Sequence, residues 1–519
     1  MNKSFNITGY CIPEQHYMVD IKERLTKIRE MIDRGEYFVI NRGRQYGKTT
    51  TLNALEAFLT PQYWVINMDF QMLSNTDFST EERFVSAFAR EMFRNSTFRQ
   101  LLSDDSINAI KRLKNDNKKF VLADLFDVFC EICFEAEKAV VLIIDEIDTA
   151  SNNTVFIDFL SMLRGYYLRR NKITIFKSVI LAGVRDIRNL KLKIRDESEH
   201  QHNSPWNIAN VYDDDMSLSV DGIEGMLYDY EKDHNTGMDV NVIAQLIYDY
   251  TSGYPVLVSN ICKLLDEDIK KWTNEGVILA VNQLLSMNTP LFDSLINKLE
   301  DYPEMKNSLY QILTKGDRLS YNPDYEPTKL LLMFGFVKVE DGAVVIANRL
   351  FETRLYNDML TSEEMKSTSI SKAGVFDKPE FVKNGVLDVK LIMSKFIEHF
   401  HEIYSGMDDK FIEDDGRKCF LIYLRPIING VGHYYIEAKT RDNRRMDIVV
   451  NYLGQKYIIE LKIWHGPKYN EDGEKQLSDY LDANNQKTGY LLTFNFNKNK
   501  KVGLKTVQYK DKTIIEAMV

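Results

Sequence analysis

A lysine, a hydroxyl and two carboxylates stand in this chain at the spacings that phosphate chemistry uses. Lysine and hydroxyl lie in Asn41-Arg-Gly-Arg-Gln-Tyr-Gly-Lys-Thr-Thr50, between an apolar run, Tyr37-Phe-Val-Ile40, and a helical pattern carrying Leu52, Leu55, Phe58 and Leu59. Strand, glycine-bearing loop and helix in that order make a phosphate-binding loop. Its backbone N–H groups and the helix N-terminus face the phosphates, the lysine reaches the outer ones, and the next hydroxyl ligates Mg²⁺. Lys48 and Thr49 take those roles, with Gly43, Gly47 and Thr50 beside them. The pattern G-x-x-x-x-G-K-[ST] is broken at its first glycine, where this chain has Arg42, with Gly43 next to it.

The carboxylates end Val140-Val-Leu-Ile-Ile-Asp-Glu-Ile-Asp148. Five apolar residues in a row read as a strand buried on both faces, as in a parallel sheet, and such sheets bind ligands at their C-terminal ends. Asp145 there would bind Mg²⁺ through water and Glu146 would orient the attacking water, which is phosphoryl transfer by positioning and charge neutralisation. Asp148 is also readable as a cap of the following helix.

A second group lies near the C-terminus. Arg444-Arg-Met-Asp-Ile-Val-Val450 and Lys456-Tyr-Ile-Ile-Glu-Leu-Lys-Ile-Trp464 read as two strands joined by a turn around Gly454. Alternate strand residues share a face, so Glu460 and Lys462 point the same way and Asp447 on the neighbouring strand can meet them. Charges inside apolar runs are costly unless paired or bound to metal. Hard oxygen ligands from Asp447 and Glu460 favour Mg²⁺ or Mn²⁺, and Lys462 would orient water or offset phosphate charge.

The elements that must position these groups are those of a large α/β protein. At 519 residues and 44% apolar composition the chain has room for three or four domains with ample cores. No stretch approaches a membrane span, and the N-terminus lacks a hydrophobic signal segment. Five cysteines, an odd number, argue for a reducing, cytoplasmic setting rather than a disulfide framework. Cys130 and Cys133 read as buried thiols in a helix, not as half of a zinc site, and His200 and His202 as part of a surface loop. A net charge of −10 excludes a uniformly basic nucleic-acid coat, so any DNA or RNA contact must use a local basic patch such as Lys500-Lys501.

Further along, Gly222 to Thr273 is helical in pattern, broken at Thr251-Ser-Gly-Tyr-Pro255. Around 300–360 a helix from Met305 and the segment Pro327 to Gly335 precede two short strands joined at Asp341-Gly342, a strong hairpin signal. Helices followed by such a wing resemble a winged helix, here with too little positive charge on the reading helix for DNA and better suited to joining domains. Thr361 to Asn384 is polar and reads as a linker.

In order and in motifs (Gly47-Lys-Thr, Ile144-Asp-Glu, Ser204-Pro-Trp-Asn-Ile208, Gly253-Tyr-Pro and the two C-terminal strands) nearly the whole chain resembles bacterial AAA-like, STAND-type P-loop ATPases fused to a PD-(D/E)XK nuclease of RecB type. The resemblance implies an AAA-like core over 1–220, a helical lid over 221–300, a winged-helix-like module over 301–360, a linker over 361–384 and a nuclease-like α/β domain over 385–519. It implies a lid proline near the nucleotide base and a polar sensor of the terminal phosphate, for which Arg185 is placed, though a plain salt bridge fits it equally. For the nuclease it adds Gln476 and Tyr480, one helical turn apart, and an acidic residue on a preceding helix, Glu413, with Glu437 as the alternative. The expected activities are ATP hydrolysis and metal-dependent cleavage of DNA, or of RNA, in a setting such as defence against mobile elements. ATP and Mg²⁺ are the expected cofactors, and self-association is left open. The competing reading is a nucleotide-switched scaffold whose nuclease fold is catalytically silent and serves for interaction.

Overall fold

The computed structural model describes residues 3–114, 119–150, 153–184, 206, 208–315, 319–340, 342–361, 369–383, 386–404, 409–428, 432–438, 446–452, 455–464, 466, 473–475, 477–478, 481–482, 486–495, 497 and 500–519. The chain divides into two compact units, one of Met1–Tyr248, Gly253–Val277 and Met333–Gly335, the other of Asp249–Ser252, Ile278–Leu332 and Phe336–Val519.

In the first unit, helix α1 (Lys22–Asp33) leads into strand β1 (Tyr37–Asn41), and helix α2 (Lys48–Leu59) leads into β2 (Trp64–Asp69). With β3 (Val140–Asp145), β4 (Ser178–Gly183) and β5 (Asn210–Val211) they form a parallel sheet in the order β2-β3-β4-β1-β5. The continuous apolar runs are explained by burial on both faces. Val140, Leu142 and Ile144 enter one core layer together with Tyr37, Val39, Ile66 and the helices between 81 and 168. Val141 and Ile143 enter the other, with Phe38, Ile40 and the apolar stripes of α1 and α2. The first layer is aromatic: Phe84, Phe88, Phe126, Phe129 and Phe159 are fully buried, with neighbouring rings such as Phe88 and Phe129 at 5.5 Å and steeply inclined, the geometry that ring quadrupoles favour. Trp206 is equally buried, stacked 6.0 Å from Tyr37.

Three helices follow, Val220–His234, Val240–Thr251 and Pro255–Leu264, over the first part of the stretch expected to be a lid. The helical pattern breaks once more than the sequence suggests. Asn235 turns left-handed at φ 52°, and the Glu231 carboxylate accepts from the N–H groups of Thr236 and Gly237 at 3.0 and 2.7 Å, so a local polar cap outcompetes the periodicity.

In the second unit, β7 (Val337–Glu340) and β8 (Ala343–Ile346) pair antiparallel, with β6 (Leu319–Ser320) on the outer side of β8. Beyond them, β9 (Val382–Lys383) and β10 (Val386–Leu387) form a small hairpin. A six-stranded mixed sheet follows in the order β11-β12-β13-β14-β16-β15, built from Gly432–Ala438, Met446–Tyr452, Gln455–Ile463, Thr488–Phe494, Lys512–Met518 and Gly503–Tyr509. Helices Val389–Tyr404 and Asp409–Ile428 supply much of its core, Phe396 and Phe400 packing on Phe494. Within the stretch expected to be linker, Ser369–Asp377 is a helix. Asp377 is buried at its end and accepts hydrogen bonds from His399 Nε2 and Tyr423 Oη at 2.6 and 2.7 Å.

Candidate nucleotide and nuclease sites

The loop after β1 starts as an extension of the sheet, Arg42 N–H donating to Gly183 O at 3.2 Å. It then turns sharply, with Gln45 and Gly47 in the left-handed region at φ 59° and 77°. Lys48, the first residue of α2, folds back across it. Its Nζ donates to the carbonyls of Arg42 and Gly43 at 2.9 and 3.0 Å. Lys48 is only 5% exposed, and burial lowers its pKa against the opposing pull of Glu146, Asp145 and Asp148. The loop's glycine has moved by one position for a steric reason. A Cβ on Gly43 would lie 2.6 Å from the carbonyl oxygen of Phe334, a residue of the same unit. Arg42 instead uses its guanidinium, donating to the carbonyls of Asn41 and Asp214 at 2.7 and 2.6 Å.

Across β4, the end of β3 meets this loop. Thr49 Oγ1 donates to Asp145 Oδ2 at 2.7 Å, while Asp145 Oδ1 accepts from Glu146 N–H at 2.9 Å. Hydroxyl and carboxylate are the hard oxygen donors that a small divalent cation takes, and the pair fits one. Glu146 is left-handed at φ 53°; burial first, and then Asp145, push its carboxyl above the usual range. Asp148 Oδ2 accepts from Val184 N–H at 2.5 Å and ties down the end of β4. Thr50 Oγ1 accepts from Cys11 N–H at 3.1 Å, so the N-terminal segment rests on α2.

Two residues near this site were not legible as parts of it. Asp69 ends β2 in register with Asp145, and burial and the Asp145 charge raise its pKa. The signal was present, since Tyr63-Trp-Val-Ile-Asn-Met-Asp69 is another apolar strand ending in a carboxylate. Tyr254 donates to Arg44 O at 2.7 Å, and no local spacing reveals that contact.

In the second unit, antiparallel register aligns Glu437 with Asp447 and Asp447 with Glu460, one row across β11, β12 and β13. Glu460 and Lys462 are 2% and 4% exposed. Gly473 begins the helical stretch after β13 at the tip of Lys462: a Cβ there would overlap the ammonium group. The buried Leu477 and Leu481 follow, against Gly489 of β14. Glu413 falls on the helix Asp409–Ile428; for it and for Asp447 the backbone alone is described. Gln476, Tyr480, Arg185, His200 and His202 lie outside the described residues. Among the described residues no group of three or more His, Cys, Asp or Glu is arranged to hold a metal ion, Cys130 and Cys133 included, and no helix is long and apolar enough to cross a membrane.

A parallel sheet with a lysine-bearing loop on β1 and a carboxylate on β3 bonded to that loop's threonine defines a P-loop ATPase. Comparison of the sequence with known families agrees: the chain belongs to the AAA-like domain family, whose profile matches residues 14–357. Residues 391–507 match the PD-(D/E)XK nuclease superfamily, so the chain joins an ATPase-like to a nuclease-like domain. No curated protein matches the chain. Among solved structures it is similar to a Walker-type ATPase of Pyrococcus abyssi, with 15% identity and a TM-score of 0.49 over 68% of this chain and 99% of the other. The ORC1 protein of Aeropyrum pernix, solved in complex with DNA, has 14% identity and a TM-score of 0.28 over 66% and 93%. The RuvB branch migration motor of Thermotoga maritima has 15% identity and a TM-score of 0.32 over 63% and 90%. These scores are too low to bear on function.

Proposed function

We propose that the chain binds and hydrolyses MgATP in its first unit and uses that cycle to control a metal-dependent phosphodiesterase in its second. The observation that carries the ATP site is the 2.7 Å bond between Thr49 and Asp145, beside a lysine already folded across its own loop. The backbone N–H groups from Gly43 to Thr50 cradle phosphates, Lys48 neutralises the outer ones, and Thr49 with Asp145 holds Mg²⁺. Glu146 holds the attacking water and takes up its proton. In the second unit Asp447 and Glu460 hold Mg²⁺ or Mn²⁺, Lys462 steadies the scissile phosphate, and Glu413, Gln476 and Tyr480 complete the site. A divalent cation there would supply Lewis-acid neutralisation and a lowered pKa for water. We divide the chain into core 1–220, lid 221–300, winged-helix-like joining module 301–360, linker 361–384 and nuclease-like domain 385–519. DNA is the favoured substrate, with RNA as the other candidate, and restriction of mobile elements is a fitting context.

Two buried charged residues on one apolar strand support cleavage over a silent fold, because a scaffold has no use for Glu460 and Lys462 where apolar residues would be at least as stable. The net charge of −10 is what favours the scaffold. The test is cleavage of plasmid, single-stranded DNA and RNA with Mg²⁺ or Mn²⁺, with and without ATP, in wild type, Glu460→Ala and Lys48→Ala. The proposal expects cleavage that Glu460→Ala abolishes and Lys48→Ala alters. ATP turnover with no cleavage of any substrate would leave the scaffold.

A further inference from the structure

The lid reaches the phosphate-binding loop through a buried side chain. Tyr254 immediately precedes Pro255, the first residue of helix Pro255–Leu264, and is 2% exposed. Its hydroxyl donates to the backbone carbonyl of Arg44 at 2.7 Å, across 210 residues of sequence. Its ring packs edge-on against Tyr46, the centroids 4.5 Å apart, and the Tyr46 hydroxyl lies 2.9 Å from Ser217 Oγ. With Arg42 bonded to Asp214 O at 2.6 Å, the loop is held from outside at its beginning, middle and end.

Such tethers matter in a loop of this kind. It binds phosphate through peptide N–H groups that must converge before the ligand arrives, and each peptide left to be ordered by the ligand weakens binding by its lost freedom. The usual first glycine, which lets the chain turn tightly, is Arg42 here, so the turn has to be held by other means. The Arg44 peptide lies between that position and Gly47, and its carbonyl is the one that the lid grips.

We propose that Tyr254 is a positioning residue for the nucleotide's phosphates. Its hydroxyl fixes the Arg44 peptide so that the loop's N–H groups converge, holding a turn that a first glycine would have made sterically easy. This inference rests on the ATP site proposed above, and it assigns the lid a role at the phosphates rather than only near the base.

Tyr254→Phe keeps the ring and removes the hydroxyl. In the full chain with Mg²⁺, it should raise the KM for ATP and the dissociation constant of inorganic triphosphate about tenfold together. It should leave kcat within about twofold, because the loop acts before chemistry. Adenosine, which has no phosphate, should bind as it does to wild type. An unchanged KM in a folded Tyr254→Phe protein would overturn the proposal, and so would an equal loss for adenosine and triphosphate, which is what a general lid defect produces. If Tyr254→Phe does not fold, Ser217→Ala removes the outer tether through Tyr46. It should weaken triphosphate about threefold, and no change would again overturn the idea. Wild type that fails to bind MgATP would sink the site itself, an outcome distinct from wild type that binds and a variant that binds equally.

Discussion

Glu146 combines a strained backbone with a carboxyl held above its ordinary range by burial and by Asp145. A folded-state pKa above the unfolded one means that the native chain holds the proton more tightly. Stability therefore falls as pH rises from the unfolded pKa through the folded one, and below the unfolded value the penalty is absent. Glu146→Gln should raise the melting temperature at about pH 7 and leave it unchanged near about pH 4, at the foot of the ordinary Glu range. ATP turnover should drop by about a hundredfold or more while MgATP binding persists. A melting curve that responds equally at both pH values would refute the linkage. The nuclease site offers an independent residue-scale test. The Cβ of Gly473→Ala would overlap the buried Lys462 ammonium, and overpacking of this kind costs about 1–3 kcal/mol. Removing the obstructed chain in Gly473→Ala/Lys462→Ala should recover most of that loss. Additive losses in urea melts would show that the two residues do not meet.

At the scale of elements, the aromatic layer between the ATPase sheet and its helices is the part of the first unit most exposed to loss. Phe88 is fully buried, with Phe84, Phe129 and Phe159 within 5.8 Å. Phe88→Ala should cost about 3–5 kcal/mol in denaturant, whereas Phe134→Ala, at 80% exposure, should stay within about 0.5. That layer was legible because β1 and β3 are unbroken apolar runs and their helices repeat at the helical period. Helix Ser369–Asp377 was not. Two of its three large apolar residues, Val375 and Phe376, are 61% and 82% exposed, and it is buried through Ile370, Gly374 and Asp377. An element whose buried face holds one large apolar residue and a carboxylate bonded to His399 and Tyr423 carries too short an apolar stripe to read. The same contrast divides the nucleotide site. Lys48, Thr49 and Asp145 sit inside local motifs, but Tyr254 joins the loop only through the tertiary fold.

At the scale of the molecule, the proposed cleavage requires an acidic chain to meet a polyanion through few cations, and salt dependence counts them. Several C-terminal lysines are already engaged: Lys505 with Glu516 at 2.5 Å and Lys512 with Asp482 at 2.6 Å. Lys501 and Lys510 are exposed on the same segment. Each phosphate neutralised releases counterions and contributes about −0.9 to the slope of log K against log salt for duplex DNA, and about −0.7 for single strands. Two lysines thus predict a slope near −1.8 or −1.4. Lys501→Ala/Lys510→Ala should flatten it toward zero and weaken binding alike for every sequence. Filter binding of a labelled duplex between about 50 and 200 mM salt reads this directly. A slope steeper than about −5 that is indifferent to both substitutions would place the contact in a basic groove elsewhere on the chain. That result would leave nuclease chemistry standing and remove only this segment from it. A duplex that does not bind even at the low-salt end would remove duplex DNA as the ligand and turn the same measurement to single-stranded DNA and RNA.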